Sequence, residues 1–216
     1  MAKPAVPPTV SDDQLRILLQ RYSCQVPFHA VRTRFLGNIA SPDPQASPMR
    51  VVESLWGGSM PEFTSIDAAN ELVGALMMGL WNRLSRHQEA SAPFRLTRVE
   101  TPATRVGLTR ITLLRQEELE GFAAGLIGEN ETIDLPQRAH EAMTMLSEAR
   151  IMTVATYDLA TDLTKPTSAQ DIAGTLGHLR KLTRIVEREI REFVISCTRA
   201  RQDALRGTPA TRSVLH

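Results

Sequence analysis

Apolar residues recur at helical spacing along the segment that follows Ser65, and this feature constrains the fold more than any other. Steps of three, four and seven residues place side chains on one face of an α-helix. The spacing predicts a helix of about 20 residues over positions 66–84. The apolar stripe consists of Ile66, Ala69, Leu72, Val73, Leu76, Met77, Leu80, Trp81 and Leu84.

The rest of the chain also divides into helical segments, which proline and glycine separate. Ser11, followed by acidic residues, predicts a helix start, and Pro48 suits the first position of a short helix that ends at Gly57. Residues 91–112 lack periodicity and predict a long connection, with a short extended piece at Arg110 to Leu114. The chain is therefore predicted to be all-α, with about seven helices in a compact bundle-like array. The predicted helices cover residues 12–22, 28–39, 48–55, 66–84, 115–127, 136 to beyond 149, and 169–206.

The last predicted helix is unusually long, because one apolar stripe runs from Ile172 to Cys197. At roughly 1.5 Å per residue, about 35 residues would span on the order of 50 Å, more than the width of a domain of this size. Two alternatives follow from the sequence. Either the helix breaks near Gly174 or Gly177, or part of it projects and packs on a partner.

Length and composition are those of an ordinary globular protein. The chain has 216 residues, 42 % of them apolar and 23 % charged. We expect one domain, or two packed lobes, over residues 11–206, with a flexible arm at 1–10 and a flexible tail at 207–216. A formal charge of +1 provides no long-range field for nucleic acid or an anionic membrane. Cys24 and Cys197 are far apart in sequence and indicate a reducing compartment, so a cytoplasmic protein without membrane contact is expected.

No constellation of residue types in the sequence demands a particular reaction. The histidines are scattered singly, without metal-ligand spacing, so neither a metal nor another cofactor is predicted. Glu117 and Glu118 are adjacent and would point to different sides of a helix, which does not suit paired acid and base catalysis. Gly121, Gly125 and Gly128 have a spacing that favours close helix packing over phosphate binding. No catalytic residue is predicted.

Short motifs follow one another in a recognisable order between residues 28 and 157. They are FLG at 35–37, LWGG at 55–58, PEF at 61–63, WN at 81–82 and EGFAAGL at 120–126. In this order the chain resembles the YecA/YgfB-like family of uncharacterised bacterial proteins. The resemblance implies an all-helical fold and names no catalytic residue. The chain departs from the family at Glu117, Glu118 and Leu119, where a Trp or Cys is usual, and it lacks the cysteine-rich zinc-binding tail of some relatives.

The missing catalytic set and the long C-terminal helix favour a non-catalytic protein-binding or regulatory role. In a homodimer, the expected contacts are Val186, Ile190 and Phe193 of the C-terminal stripe. The alternative is a small-ligand-binding protein or an enzyme, with a pocket between the LWGG segment and the 66–84 helix. The residues expected near that pocket are Trp56, Trp81, Asn82 and Arg83.

A basic stretch of the C-terminal helix adds a minor alternative, nucleic-acid binding. Residues 180–206 contain eight basic and four acidic side chains, a local charge of +4. The acids follow the bases at helical spacing, as in Arg184 with Glu187 and Arg188 with Glu192, which is typical of an ordinary solvated face. Nucleic acid is therefore the weaker expectation, behind a protein partner or self-association.

Overall fold

A computed structural model describes residues 10–43, 46–128 and 133–207, and within these ranges the chain is helical without strands. The elements are α1 Asp12–Arg21, α2 Phe28–Ala40, α3 Pro48–Ser54, α4 Ile66–Gly74, a π-helical segment Ala75–Trp81, α5 Asn82–Ser85, a 3₁₀ turn Arg86–Gln88, α6 Arg105–Ile127, α7 Gln137–Thr161 and α8 Ala169–Gly207. Because α4, the π-helical segment and α5 are continuous, the described residues form seven helices. The all-α class and the long C-terminal helix are confirmed. The N-terminal arm and the tail lie almost entirely outside the described residues.

The starts of the short N-terminal helices follow the signals in the sequence. The Ser11 hydroxyl accepts a hydrogen bond from the Gln14 backbone N–H at 3.2 Å, and the Gln14 side chain accepts one from the Ser11 backbone N–H at 2.8 Å. Pro48 occupies the first position of α3. Gly57 and Gly58, which follow α3, have φ angles of 78° and 99°, a backbone region that favours glycine.

The predicted 66–84 helix is present, but its second half is a π-helical segment. A π-helical turn contains more residues than an α-helical turn, so it rotates the side chains that follow it about the axis. Leu72, Leu76, Leu80 and Leu84 still point into the core and are at most 2 % exposed. The four leucines of the predicted stripe are therefore buried, the other stripe residues are partly buried, and Ile66 at its start is exposed.

Helix α6 begins ten residues earlier than predicted, so the expected extended piece at Arg110 to Leu114 is wrong. Thr104 caps the helix by accepting a hydrogen bond from the Gly107 backbone N–H at 3.1 Å. A Cβ at Gly107 would lie 2.2 Å from the Pro102 carbonyl oxygen, so this glycine allows close packing and does not break the helix. Exposed Val106 and buried polar residues hide the helical period of this segment.

Helices α2 and α6 cross in backbone contact, and glycines make the contact possible. A Cβ at Gly125 would lie 1.8 Å from the Arg34 carbonyl oxygen, and one at Gly37 would lie 2.1 Å from the Phe122 carbonyl oxygen. A Cβ at Gly121 would lie 2.5 Å from the Ala30 carbonyl oxygen. The predicted helix-packing role holds for two of the three spaced glycines. The third, Gly128, instead ends α6 with a φ of 55°.

Helix α8 is continuous over 39 residues, so it spans about 58 Å without a break at either glycine. The first turns of α8 pack against another helix of the same chain. Ile172, Leu176 and Leu179 form a second apolar cluster with Leu108 and Ile111 of α6, while the middle of α8 joins the main core. Of the two alternatives from the sequence, the break is wrong.

The three predicted dimer contacts lie in the core of the chain itself. Val186, Ile190 and Phe193 are at most 2 % exposed. The ring of Phe193 meets that of Phe122 on α6 edge to face, with 5.5 Å between the ring centroids. This corrects the prediction, because α8 buries its apolar stripe against helices of its own chain and the stripe is not free to meet a second copy.

Candidate functional site

Residues 93–101, which we call the strap, cross the helices without forming a helix or strand. The side chains of Phe94 and Leu96 are 2 % exposed and belong to the main core. Arg32 of α2 also holds the strap: its Nη2 donates to the Arg95 carbonyl at 3.2 Å, and its guanidinium lies over the Phe94 ring, 5.1 Å from the centroid. Side chains of neighbouring helices therefore fix the strap in place.

Glu187 of α8 is buried beneath the strap and binds it. Its side chain is only 3 % exposed and accepts a hydrogen bond from the Leu96 backbone N–H at 3.0 Å. The same carboxylate pairs with Arg95 at 2.9 Å and with Arg98 at 3.0 Å. A buried carboxylate requires such partners, because its transfer out of water costs several kcal/mol.

Glu118 of α6 is a second buried carboxylate that binds the strap. It accepts a hydrogen bond from the Thr97 backbone N–H at 2.7 Å and forms a buried ion pair with Arg115, one turn earlier on the same helix. Arg115 also donates to the Thr97 carbonyl at 2.8 Å and to the Thr183 hydroxyl of α8 at 3.1 Å. These contacts join α6, α8 and the strap into one hydrogen-bonded network.

A cavity of about 240 Å³ lies beside this network, between the strap, α6 and α8, and we call it the arginine cavity. Its polar lining consists of four arginines and two threonines, and the lining contains no carboxylate. Its remaining wall is apolar. The polar residues are Arg98, Arg115, Arg180, Arg184, Thr101 and Thr183, and the apolar ones are Val99, Ile111, Leu176 and Leu179.

Glu187 and Glu189 of α8 are buried, and neither pairs with Arg180 or Arg184 of the same helix. Glu187 pairs with arginines of the strap instead of Arg184, and Glu189, which is 4 % exposed, pairs with Arg188 at 2.9 Å and Arg138 at 2.7 Å. Burial alone would raise the pKa of Glu189, but hydrogen bonds from the two arginines hold it below its ordinary value. The predicted pairing of Arg184 with Glu187 is therefore wrong.

Arg180 and Arg184 are consequently the uncompensated charges of the arginine cavity. They lie one turn apart on α8, both are exposed, and neither has a carboxylate partner among the described residues. Arg98 and Arg115 are already bound to Glu187 and to Glu118, respectively. The cavity thus combines two structural arginines with two that remain available to an anion.

The four residues predicted to bind a ligand do not converge on one site. The Trp56 Nε1 donates to the Tyr22 carbonyl at 2.7 Å, which is a structural role. Arg83 donates to the Val10 carbonyl at 3.1 Å and pairs with Asp12, so it ties α5 to the start of α1. The Trp81 Nε1 is buried without a hydrogen-bond partner among the described atoms, and the exposed Asn82 amide contacts only the Met78 sulfur, at 3.7 Å.

A cavity does lie beside the end of the LWGG segment, at Gly58, but its lining differs from the predicted one. It measures about 500 Å³, is formed by α2, α3 and the end of α6, and we call it the α2–α3 cavity. Gly58 and Ser54 line it, together with Arg34 and Asn38 of α2, whereas the 66–84 helix contributes none of its lining. The LWGG segment alone could not indicate which neighbour it faces.

One histidine has a carboxylate partner that the sequence did not indicate. His29 Nε2 lies 2.7 Å from a Glu117 carboxylate oxygen, and the two side chains are 18 % and 32 % exposed. The pair joins α2 to α6 across 88 positions of sequence, so spacing could not reveal it. His29 and Cys24 both line a cavity of about 450 Å³. Burial raises the pKa of the Cys24 thiol, which does not favour a nucleophilic role.

Comparisons with known proteins gave no match to a family model, to a curated protein or to a solved structure. The resemblance to the YecA/YgfB-like family therefore stays a prediction from the sequence. Within the described ranges, no helix has the length and apolar character needed to cross a membrane. In the same part of the chain, no three potential His, Cys, Asp or Glu ligands come together in a way that could hold a metal ion.

Proposed function

We propose that the chain is a non-catalytic binding protein for a small organic anion and that the arginine cavity is its binding site. The observation that carries this proposal is the lining: four arginines from three elements line the cavity, no carboxylate belongs to the lining, and Arg180 and Arg184 have no carboxylate partner among the described residues. Guanidinium groups stay protonated throughout the physiological pH range, so they hold a negative charge and do not transfer protons. Such a lining supports binding better than acid and base chemistry.

The size and the apolar wall of the arginine cavity narrow the class of ligand. A volume of 240 Å³ corresponds to about eight water molecules. It is below the roughly 300 to 1,000 Å³ of most sites for drug-sized ligands. Leu176, Leu179 and Ile111 would contact an apolar body, and Arg180 and Arg184 would hold a carboxylate or phosphate group. A ligand with one ring or a short chain fits these limits.

The proposal is tested by calorimetric titration at constant ionic strength with phenyl phosphate, benzoate and benzyl alcohol. The two anions should bind, and the neutral alcohol of similar size should not, because it offers no charge to the arginines. Replacing Arg180 or Arg184 with Gln should weaken binding about tenfold or more, the effect of one charged hydrogen bond. Both side chains are exposed, so these variants should fold normally.

Arg199→Gln is the matched control, since Arg199 is exposed on the same helix and does not line the cavity. It changes the net charge by the same amount and should leave binding unchanged. An equal loss in the control would show a general effect of charge and contradict the proposal. Failure of both anions to bind would also contradict it.

Nucleic-acid binding is the second candidate, and one observation favours it. Arg95 and Arg98 of the strap are 62 % and 63 % exposed and add two cations beside the basic face of α8. A short single-stranded oligonucleotide should then bind with an affinity that falls steeply with salt. Displacement of phenyl phosphate by the oligonucleotide would support this candidate, and no binding at low salt would exclude it. Protein binding, self-association and cytoplasmic location stay predictions from the sequence.

A further inference from the structure

Arg34, in the α2–α3 cavity, is a partly buried guanidinium that lacks a negative partner. Its Nη1 donates to the Ser54 carbonyl at 3.1 Å and lies 3.4 Å from the Ser54 hydroxyl. Its Nε is buried and has no hydrogen-bond partner among the described atoms. No carboxylate of the described residues lies within ion-pair distance of it, whereas buried Arg115 is paired with Glu118.

The surroundings make this lack of a partner costly. Burial lowers the pKa of Arg34 from its ordinary value, and interaction with the Cys24 thiol offsets only part of this effect. A guanidinium nevertheless keeps its proton, so the charge persists in a desolvated place. Removing a charge from water without a counterion is unfavourable, and an anion that entered the cavity would relieve that cost.

The other side chains of the cavity indicate which anion it would accept. Asn38 supplies an amide and Ser41 a hydroxyl, both of which can donate hydrogen bonds to carboxylate oxygens, whereas the Ser54 hydroxyl already donates to the Val51 carbonyl at 2.8 Å. Asp43, Arg50 and Glu53 also line the cavity, and the two acids would repel a phosphate dianion more strongly than a single carboxylate. A planar carboxylate matches the two parallel N–H groups of a guanidinium.

We propose that the α2–α3 cavity binds a small monocarboxylate, such as a simple organic acid or an amino acid, and that Arg34 anchors it. This site is separate from the arginine cavity, and it neither requires nor excludes binding there. Arg34 comes from the α2–α6 crossing, where Gly125 contacts its backbone, so its side chain projects from a rigid support. The cavity volume of about 500 Å³ accommodates molecules of this class.

The direct test is nuclear magnetic resonance of the Arg34 Nε–Hε group in the unaltered protein, with acetate, L-alanine and inorganic phosphate as probes. At least one of the two carboxylates should shift this resonance in a saturable manner at constant ionic strength, because the unpartnered Nε–H acquires an acceptor. Phosphate should shift it less. No saturable shift with either carboxylate, or a shift with phosphate alone, would overturn the proposal.

Variants separate this site from the arginine cavity. Arg34→Gln should weaken carboxylate binding about tenfold to a hundredfold, the range expected for hydrogen bonds to a charged group. Arg199→Gln carries the same change of charge at an exposed position that lines neither cavity, and it should leave carboxylate binding unchanged. If Arg34→Gln and Arg199→Gln lower the affinity equally, Arg34 is not the anchor. If Arg34→Gln unfolds, the resonance experiment on the unaltered protein still decides the outcome.

Discussion

Replacing Gly125 with alanine should destabilise the protein, because the new methyl group would collide with a neighbouring helix. The Cβ would lie 1.8 Å from the Arg34 carbonyl oxygen and 2.6 Å from the Arg34 carbonyl carbon. These atoms belong to helix backbone and cannot rotate away, so α2 and α6 would have to separate by about 1 Å in a closely packed interior.

Two opposing effects set the size of the change. Alanine favours the helical conformation over glycine by about 1 kcal/mol, which would stabilise α6. Overpacking a well-packed interior usually costs about 1 to 3 kcal/mol, and a collision between two backbones belongs at or above the upper end. We therefore expect a net loss of about 2 kcal/mol in the free energy of unfolding. For a chain of this length, such a loss lowers the melting temperature by about 4 to 8 °C.

Gly174→Ala is the matched control for helix propensity. Gly174 is an exposed residue of α8. A Cβ at this position would have no neighbouring heavy atom within 4 Å. This variant should gain about 0.5 to 1 kcal/mol. The difference between the two variants isolates the collision, and urea unfolding followed by far-UV circular dichroism measures both. The reasoning is refuted if Gly125→Ala is as stable as the unaltered protein while Gly174→Ala shows its expected gain.

Two other predictions concern the buried acids and the buried thiol. Glu118→Gln leaves buried Arg115 without a carboxylate and should lower the free energy of unfolding, measured in urea, by about 3 to 5 kcal/mol. Glu187→Gln should lower it less, because the arginine partners of Glu187 are largely exposed. Equal losses in the two variants would contradict this reasoning. Burial raises the pKa of Cys197 to about 12 from an ordinary 9.0, so stability should fall as the pH rises between these values, because the unfolded thiol ionises first. In the native protein Cys197 should resist Ellman's reagent, and rapid modification without denaturant would contradict its burial.

Helices whose apolar residues form one clean stripe could be predicted from the sequence. The 66–84 stripe and that of α8 both face the core, because burying an apolar face is what stabilises such helices. The start of α6 could not be predicted from the sequence, because exposed Val106 and buried Arg115 reverse the usual pattern of polarity. Gly107 lies within the predicted connection, where glycine suggests irregular backbone, but it allows close contact between α6 and the segment just before it.

The candidate sites were less predictable, because each depends on pairings between distant residues. Glu187 lies at helical spacing from Arg184, which suggests a pair, but its partners are Arg95 and Arg98, about 90 positions away in sequence. The LWGG segment indicated a nearby pocket but not the helix it faces. Arg34 gave no signal, because a single arginine is ordinary in sequence and becomes unusual only when burial leaves it without a counterion.

The same two acids account for both the position of the strap and the charge of the arginine cavity. Glu118 and Glu187 are buried beneath the strap, where their carboxylates bind its backbone N–H groups as well as arginines. The two carboxylates therefore form their ion pairs with Arg95, Arg98 and Arg115, and not with Arg180 or Arg184 on the surface of α8. A helix with interleaved acids and bases can present a locally positive face where its nearest acids turn inward, as Glu187 and Glu189 do on α8. Net charge and spacing cannot reveal this, because both treat every charge as if it faced the solvent.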